Sequence, residues 1–301
     1  MVSLGKLKFD HLIGQKVGSA ILLKELARGE MGVVFIAFQK TLKRQIAVKI
    51  LPKSIITTAH AEFFLQEAEA AAILSHPNII PIYEVGITED FLFFTMLLVK
   101  GQSLLYYLRR SQKRVLPSRR TLPLKTTLNI IINVLDALDY AHSQYIIHRD
   151  IKPANILIES HTNRSIITDF GVAKVSKGLE PKLPGILGTP KYVPPEQIVN
   201  GDVDGRADIY ATGTMLFEML VSDLPWPNNV DSISKLLDTK LKLKDKFFQK
   251  KPSEMNPMVH KEMDEIVFKA LYYDPEKRYA NCREFLDLLK GYQDHHLEKG
   301  T

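Results

Sequence analysis

Two acids and an amide stand close together near the middle of the chain. Asp150 and Asp169 each follow a short β-branched run, Ile146-Ile147 and Ile166-Ile167-Thr168, and Asn155 lies between them. This set suits phosphoryl transfer. One carboxylate can orient a hydroxyl nucleophile and take its proton, while other oxygens hold hard divalent cations against phosphate groups. Either acid alone fits an ordinary turn after a strand. The ordered string His148-Arg149-Asp150-x-Lys152-x-x-Asn155, followed by Asp169-Phe170-Gly171, does not.

That string resembles the catalytic loop and metal-binding signature of the protein kinase superfamily. The resemblance implies an α+β, bilobal fold: a small antiparallel β-sheet lobe with one main helix, and a larger, mostly helical lobe. It also implies roles, residue by residue. Asp150 would orient the accepting hydroxyl and Lys152 would neutralise charge on the transferred phosphate. Asn155 and Asp169 would hold Mg²⁺ or Mn²⁺, and ATP would be the phosphate donor.

The elements that must position these groups begin upstream. Residues 1–19 have weak patterning and read as a leader strand or a mobile arm. From 19 to 48, three β-rich runs, Ile21-Leu22-Leu23, Val33-Val34-Phe35-Ile36 and Ile46-Ala47-Val48, suggest an antiparallel meander. Glycines in its first turn, Arg28-Gly29-Glu30-Met31-Gly32, would let backbone N–H groups approach phosphate oxygens. The family's Gly-x-Gly-x-x-Gly-x-Val is matched at Gly29, Gly32 and Val34, with Ala27 in place of the first glycine. Lys49 ends Ile-Ala-Val-Lys and matches the lysine that grips the α- and β-phosphates. An alanine-rich helix is expected over 59–75, and Glu67 in it matches the partner of Lys49. Two strands follow, over 80–85 and 91–98. Met96 takes the gatekeeper position and Leu98 lies in a hinge over 97–101. Val34, Ala47 and Leu157 would sandwich adenine.

Beyond the hinge the texture is helical. A short helix is expected over 103–110 and a long one over 124–143, with Leu128, Ile131, Leu135 and Leu138 on one face. Gly188-Thr189-Pro190 and Tyr192-Val193-Pro194-Pro195-Glu196 resemble the close of the family's activation segment, with Pro-Pro-Glu for Ala-Pro-Glu. Arg206-Ala207-Asp208 opens a buried-looking helix to Val221, its Asp208 matching the family's internal scaffold acid. Arg278 matches the structural partner of Glu196. Helices around 232–241, 262–272 and 281–289 complete the lobe. The domains so expected are an arm over 1–19, a kinase domain over 20–290 (N-lobe 20–97, C-lobe 102–290) and a short polar tail over 291–301. His295 and His296 in that tail are read as disordered rather than as metal ligands.

Composition sets limits. Hydrophobic residues at 45% and charged residues at 25% are ordinary for a globular protein, and the single Cys282 excludes an internal disulfide. No apolar run reaches the length of a membrane span, and no signal peptide is evident, so a cytoplasmic location is the default. The net charge of +6 is uneven. Arg109 to Lys125 carries seven basic residues and no acid, and Lys240 to Lys251 six lysines against Asp245. Such runs read as solvated surface, or as docking sites for an acidic partner. No aromatic interleaving accompanies them, which argues against nucleic acid.

Lys152 with Gly188-Thr189 resembles serine/threonine rather than tyrosine kinases, so the implied partners are proteins with Ser or Thr acceptors. The likeness extends over roughly 20–289 and is greatest to the bacterial Hanks-type enzymes. Two further expectations concern regulation. The loop over 172–188 has no Thr and only Ser176, so Glu180 is expected to supply part of the negative charge that Arg149 would otherwise meet on a phosphorylated residue. Ala154 stands where kinases preferring basic substrates often carry Glu, so no strong preference for an upstream arginine is expected. Ala27 and the thin loop leave open a nucleotide-binding pseudokinase that works as a scaffold. A small-molecule phosphotransferase is a third reading, and a homodimer is left open.

Overall fold

The computed structural model describes residues 9–29, 32–55, 58–116, 120–170, 190–199, 201–227 and 232–298. They fall into two compact units, one of Met1–Lys100 with Phe170, the other of Gly101–Asp169 and the residues from 190 onward.

The first unit is built on a six-stranded antiparallel sheet, in the order β1 (Lys16–Val17), β2 (Ala20–Gly29), β3 (Gly32–Gln39), β4 (Arg44–Pro52), β6 (Phe91–Met96) and β5 (Ile82–Ile87). Alternation along the strands sorts residues to two faces. Val33, Phe35, Val48, Ile50, Phe91 and Phe93 enter one core cluster, together with Phe9, Leu12 and Val17. Leu51, Leu92 and Phe94 enter a second, with Phe64 and Ala68 of α1 (Thr58–Ile73). The Phe64 and Phe94 rings lie 5.1 Å apart. Of the two expectations for 1–19, residues 9–17 follow the leader strand. A short 3-10 turn, Asp10–Leu12, and β1 pack onto the sheet, and Val17 is fully buried.

The second unit is helical around α5 (Arg206–Val221), in which every residue from Ala207 to Val221 is buried. The long α3 (Leu124–Ser143) packs against it and against α9 (Cys282–Gln293), and the four leucine and isoleucine residues expected on its inner face are fully buried. Also present are α2 (Leu104–Gln112), α4 (Pro195–Ile198), α6 (Ile233–Leu243), α7 (Pro252–Met255) and α8 (Lys261–Ala270). Side chains cap three of them: Ser103, Ser232 and Asn281 each accept from a backbone N–H in the first turn of α2, α6 and α9. A small sheet, β7 (Gly101–Ser103), β8 (Ile156–Glu159) and β9 (Ser165–Ile167), flanks the stretch that carries the acids.

One expectation needs correction. The chain from Gly291 is not a disordered tail as far as it is described. Helix α9 runs through Gln293, and a π-helical turn, Asp294–Glu298, follows. His296 bonds Glu262 at 2.8 Å and stacks on His260 with ring centroids 4.2 Å apart, so aromatic packing orders it. No group of three or more His, Cys, Asp or Glu that could hold a metal occurs among the described residues. The β-branched pair Ile146-Ile147 lies outside any strand. The backbone there hooks between Tyr145 and Arg149, both with positive φ (60° and 64°). Among the described residues, no helix is long and apolar enough to cross a membrane.

Candidate active site

The catalytic stretch has little regular structure of its own, and its shape comes from one buried carboxylate. Asp208, in the first turn of α5, is fully buried. Its Oδ2 accepts the N–H of His148 at 2.9 Å and its Oδ1 the N–H of Arg149 at 2.8 Å, while the His142 ring bonds Oδ2 at 2.8 Å. Burial opposes its charge, but the hydrogen bonds from the His142 ring and the His148 main chain help hold its pKa below the ordinary carboxylate value. These bonds hold Arg149 at positive φ, a conformation that costs about 1–3 kcal/mol and persists only where neighbours impose it. The Cys282 thiol lies 3.7 Å from the other nitrogen of His142; burial raises its pKa well above the usual value, which makes it inert.

From this anchor the reactive groups fan out. The His148 ring accepts the Asp150 N–H at Nδ1 (3.3 Å), so its Nε2 carries the proton and donates to the Thr168 carbonyl (3.0 Å). This imidazole thus ties the backbone of Asp150 to the residue before Asp169. Lys152 Nζ lies 2.7 Å from Asp150 Oδ2. Asn155 donates from its amide nitrogen to the Asp150 carbonyl (2.9 Å) and to Asp150 Oδ2 (3.1 Å), and its own backbone carbonyl accepts the Thr168 N–H at 2.9 Å. Asp169 sits at φ 57°, with Oδ2 accepting from the Thr168 hydroxyl at 3.2 Å. Asp150, Lys152, Asn155 and Asp169 are therefore brought into one network in the second unit. Leu157 follows on β8, half-buried.

The cation test comes from this donor set. With the Asn155 nitrogen committed to Asp150, the amide oxygen is the atom left to act as ligand, beside the Asp169 carboxylate. One carboxylate and one amide oxygen suit a hard cation that completes its shell with waters and substrate phosphates, as Mg²⁺ does. The residues fit the ion.

The nucleotide candidates of the first unit also share a surface. Register pairs Ala27 with Val34, Val34 with Lys49, and Ala47 with Met96, so these residues line the sheet face opposite Val33, Phe35 and Val48. Helix α1, which carries Glu67, packs on that same face; the Glu67 side chain lies outside the described residues. Lys49 is 8% exposed, its ammonium 5.4 Å from the Phe94 ring centroid. Ala27 pairs with Val34 directly after a register shift in β2, and it is exposed. Gly29 pairs with Gly32 at the turn, whose tip lies outside the described residues. Gly32 needs to be glycine: its φ is +149°, and a Cβ would come within 2.6 Å of the Ile50 carbonyl oxygen. Leu98 is half-buried just after β6.

The segment 190–196 is held at three places in the second unit. Arg278 spends all five N–H donors: two on the Glu196 carboxylate (2.7 and 2.8 Å) and three on the carbonyls of Arg206, Tyr272 and Tyr273. Glu218 of α5, 4% exposed, receives the Lys191 ammonium on one oxygen and the Tyr192 hydroxyl on the other. Lys240 of α6 donates to the carbonyls of Lys191 (3.1 Å) and Val193 (2.8 Å). Sequence reasoning found the Glu196–Arg278 pair and missed the other two. Lys240 was read as part of a solvated basic run, yet it is 1% exposed. Its spacing from Leu236 and Leu237 was the available signal, because residues three and four apart share a helix face. Gln197 ties this segment to the catalytic stretch, donating to the Arg149 carbonyl at 3.2 Å. Ser176 and Glu180 lie outside the described residues.

Comparison with known proteins agrees with this geometry. The protein kinase domain family matches residues 21–288. A probable serine/threonine-protein kinase of Streptomyces coelicolor, SCO3848, is 34% identical over 269 residues, covering 86% of this chain and 37% of the relative. The tyrosine-protein kinase MasK of Myxococcus xanthus is 31% identical over 300 residues, covering 94% of this chain and 44% of the relative. The chain therefore spans less than half the length of these curated relatives. The Mycobacterium tuberculosis PknI kinase domain structure superposes with a TM-score of 0.71 at 25% identity, covering 93% of this chain and 98% of that one. With the family matched over nearly the whole described length and its catalytic loop built as above, the chain belongs to the protein kinase family.

Proposed function

We propose that this chain is a working kinase domain that transfers the γ-phosphate of ATP to serine or threonine hydroxyls of proteins. The observation that carries the reading is the Asp150–Lys152–Asn155 network, held through the backbone to Asp208. Asp150, its side chain 37% exposed, is positioned to orient an incoming hydroxyl and accept its proton. Lys152, beside it, offsets charge on the phosphate in flight. Mg²⁺ or Mn²⁺ held by Asn155 and Asp169 would neutralise the phosphates. Lys49, braced by Glu67, fixes the tail of ATP, while Ala27, Gly29, Gly32, Val34, Ala47, Met96, Leu98 and Leu157 receive the nucleotide. Catalysis is then mainly positioning and electrostatics.

The exposed bases Arg109 and Arg110 of α2, and Lys113 at its C-terminus, line a surface groove with Ser103, Leu105 and Tyr106. Arg109 lies within electrostatic reach of Tyr192, in the segment taken here to dock the acceptor. These bases suit an acidic stretch in the acceptor protein or in a second partner. Lys242, Lys244, Lys246, Lys250 and Lys251 form a second exposed basic surface. The use of ATP as donor suits a cytoplasmic location for the domain. Arg149 Nε is buried without a hydrogen-bond partner among the described residues; Glu180 is proposed to offer it negative charge.

Intact-mass analysis after incubation with Mg-ATP, alone and with dephosphorylated casein, tests the reading, with Asp169→Asn as control. Phosphate on serine or threonine from the parent chain only is the expected result. Thermal stabilisation by ATP without transfer would establish the scaffold reading instead, and phosphotyrosine would move the acceptor class. Light scattering on the same sample reads self-association.

A further inference from the structure

Lys240 belongs to no part of the catalytic network, yet it is among the most deeply buried charged residues described. It sits on the inner face of α6 with Leu236 and Leu237. Its ammonium donates to the carbonyls of Lys191 and Val193 and lies 5.2 Å from the Tyr210 ring centroid and 5.5 Å from that of Phe247. A lysine loses several kcal/mol of hydration on burial, so it survives in such a place only where fixed acceptors replace the water. Here the acceptors are two carbonyls at a single 3-10 turn, Pro190–Tyr192, and the residue after it. We propose that Lys240 is a positioning residue for acceptor binding: its ammonium sets the backbone of residues 191–193 and so the path on which an acceptor peptide is laid. The proposal rests on the kinase reading only for what the segment presents.

The surroundings make the contact sensitive to pH. Glu196 of α4 favours the ammonium, Arg278 opposes it, and Tyr210 of α5 faces it as a neutral ring, its own ionisation suppressed by burial. Lys191 is paired with Glu218. Burial dominates and draws the Lys240 pKa down to about 7. A neutral amine keeps two N–H donors but loses the charge that strengthens them.

Two measurements test this. In hydrogen–deuterium exchange on the wild-type chain, corrected for intrinsic rates, protection of 190–196 is expected to fall as pH rises from 6 to 8.5. In Lys240→Met it is low throughout. In kinetics with dephosphorylated casein, Lys240→Met is expected to raise the casein KM about tenfold with the ATP KM unchanged. Wild-type casein KM is expected to rise about fivefold across the same pH range, while that of the variant stays flat. Equal protection at all pH values in the wild type overturns the proposal. So does a fall in kcat with both KM values moving together, the mark of a merely structural role. If the wild type transfers no phosphate, the kinase reading fails and the exchange profile still decides the role of Lys240. That profile also decides if Lys240→Met does not fold.

Discussion

Arg278 grips Glu196 with two parallel bonds while its other donors fasten three backbone carbonyls, and its side chain is wholly out of solvent. A buried guanidinium in this position cannot lose its carboxylate cheaply. Glu196→Ala is expected to destabilise the protein by about 3–5 kcal/mol, because it leaves an uncompensated charge inside. Arg278→Lys should cost a similar amount, since an ammonium cannot reproduce five forked donors. Urea denaturation monitored by circular dichroism checks both, and a loss of about 1 kcal/mol or less would show that the pair is dispensable.

Asp150 presents the opposite case. Its side chain contacts Lys152 and Asn155 at the surface of the loop, while its backbone is held by His148. Asp150→Asn is therefore expected to lower kcat by roughly 10²–10⁴-fold, the usual contribution of a positioned base. Its stability should change by no more than about 1 kcal/mol, the scale of an exposed ion pair. Paired kinetics and thermal melts separate the two effects.

Lys49 and Gly32 address the nucleotide. Removing the Lys49 ammonium in Lys49→Met should abolish most ATP-dependent phosphorylation. It should also shrink the thermal stabilisation that saturating Mg-ATP confers, about 2.7 kcal/mol at a hundredfold excess over Kd. Gly32→Ala places a methyl group against the Ile50 carbonyl at 2.6 Å and forces the turn to shift. Its ATP KM is expected to rise severalfold while the casein KM holds. An unchanged ATP KM would remove the turn from nucleotide binding.

Asp208 makes a statement about acid. Its pKa is held below the ordinary carboxylate value of 3.8, so the stability it contributes is complete above that pH and is lost as pH falls through its lower folded value. The Asn variant has no such proton to gain. Asp208→Asn is expected to be less stable by about 3–5 kcal/mol at pH 7. The gap between wild type and variant should narrow below pH 3.8. Denaturation at a series of pH values gives the comparison directly.

Periodicity and chemistry made different parts of this chain legible. Helices α3 and α5 occupy the ranges that their apolar pattern indicates, and the order of the strands follows the β-rich runs between glycine turns. Motif residues are readable wherever their types are tied to chemistry, as at Asp150, Asn155 and Asp169. What could not be read were polar groups whose meaning is set by distant partners. Glu218 looks like any helix acid until Lys191 and Tyr192 arrive, and His296 looks like tail until it stacks on His260. Lys240 was hidden by composition, because five exposed lysines follow it and mask the one that turns inward. The β-branched Ile146-Ile147 run joins no ladder, and the two residues from His148 are held by bonds to Asp208, a partner sixty positions away.

The attachment of the catalytic loop to Asp208 through amide hydrogens has a consequence for how this fold can change over time. Main-chain bonds do not depend on which side chain a residue carries, so the residues at 150 and 152 can be exchanged while the loop keeps its course. Architecture and reactivity are inherited separately here. A descendant could lose its chemistry and keep its shape by a single substitution at Asp150, and the route from enzyme to inert scaffold is correspondingly short.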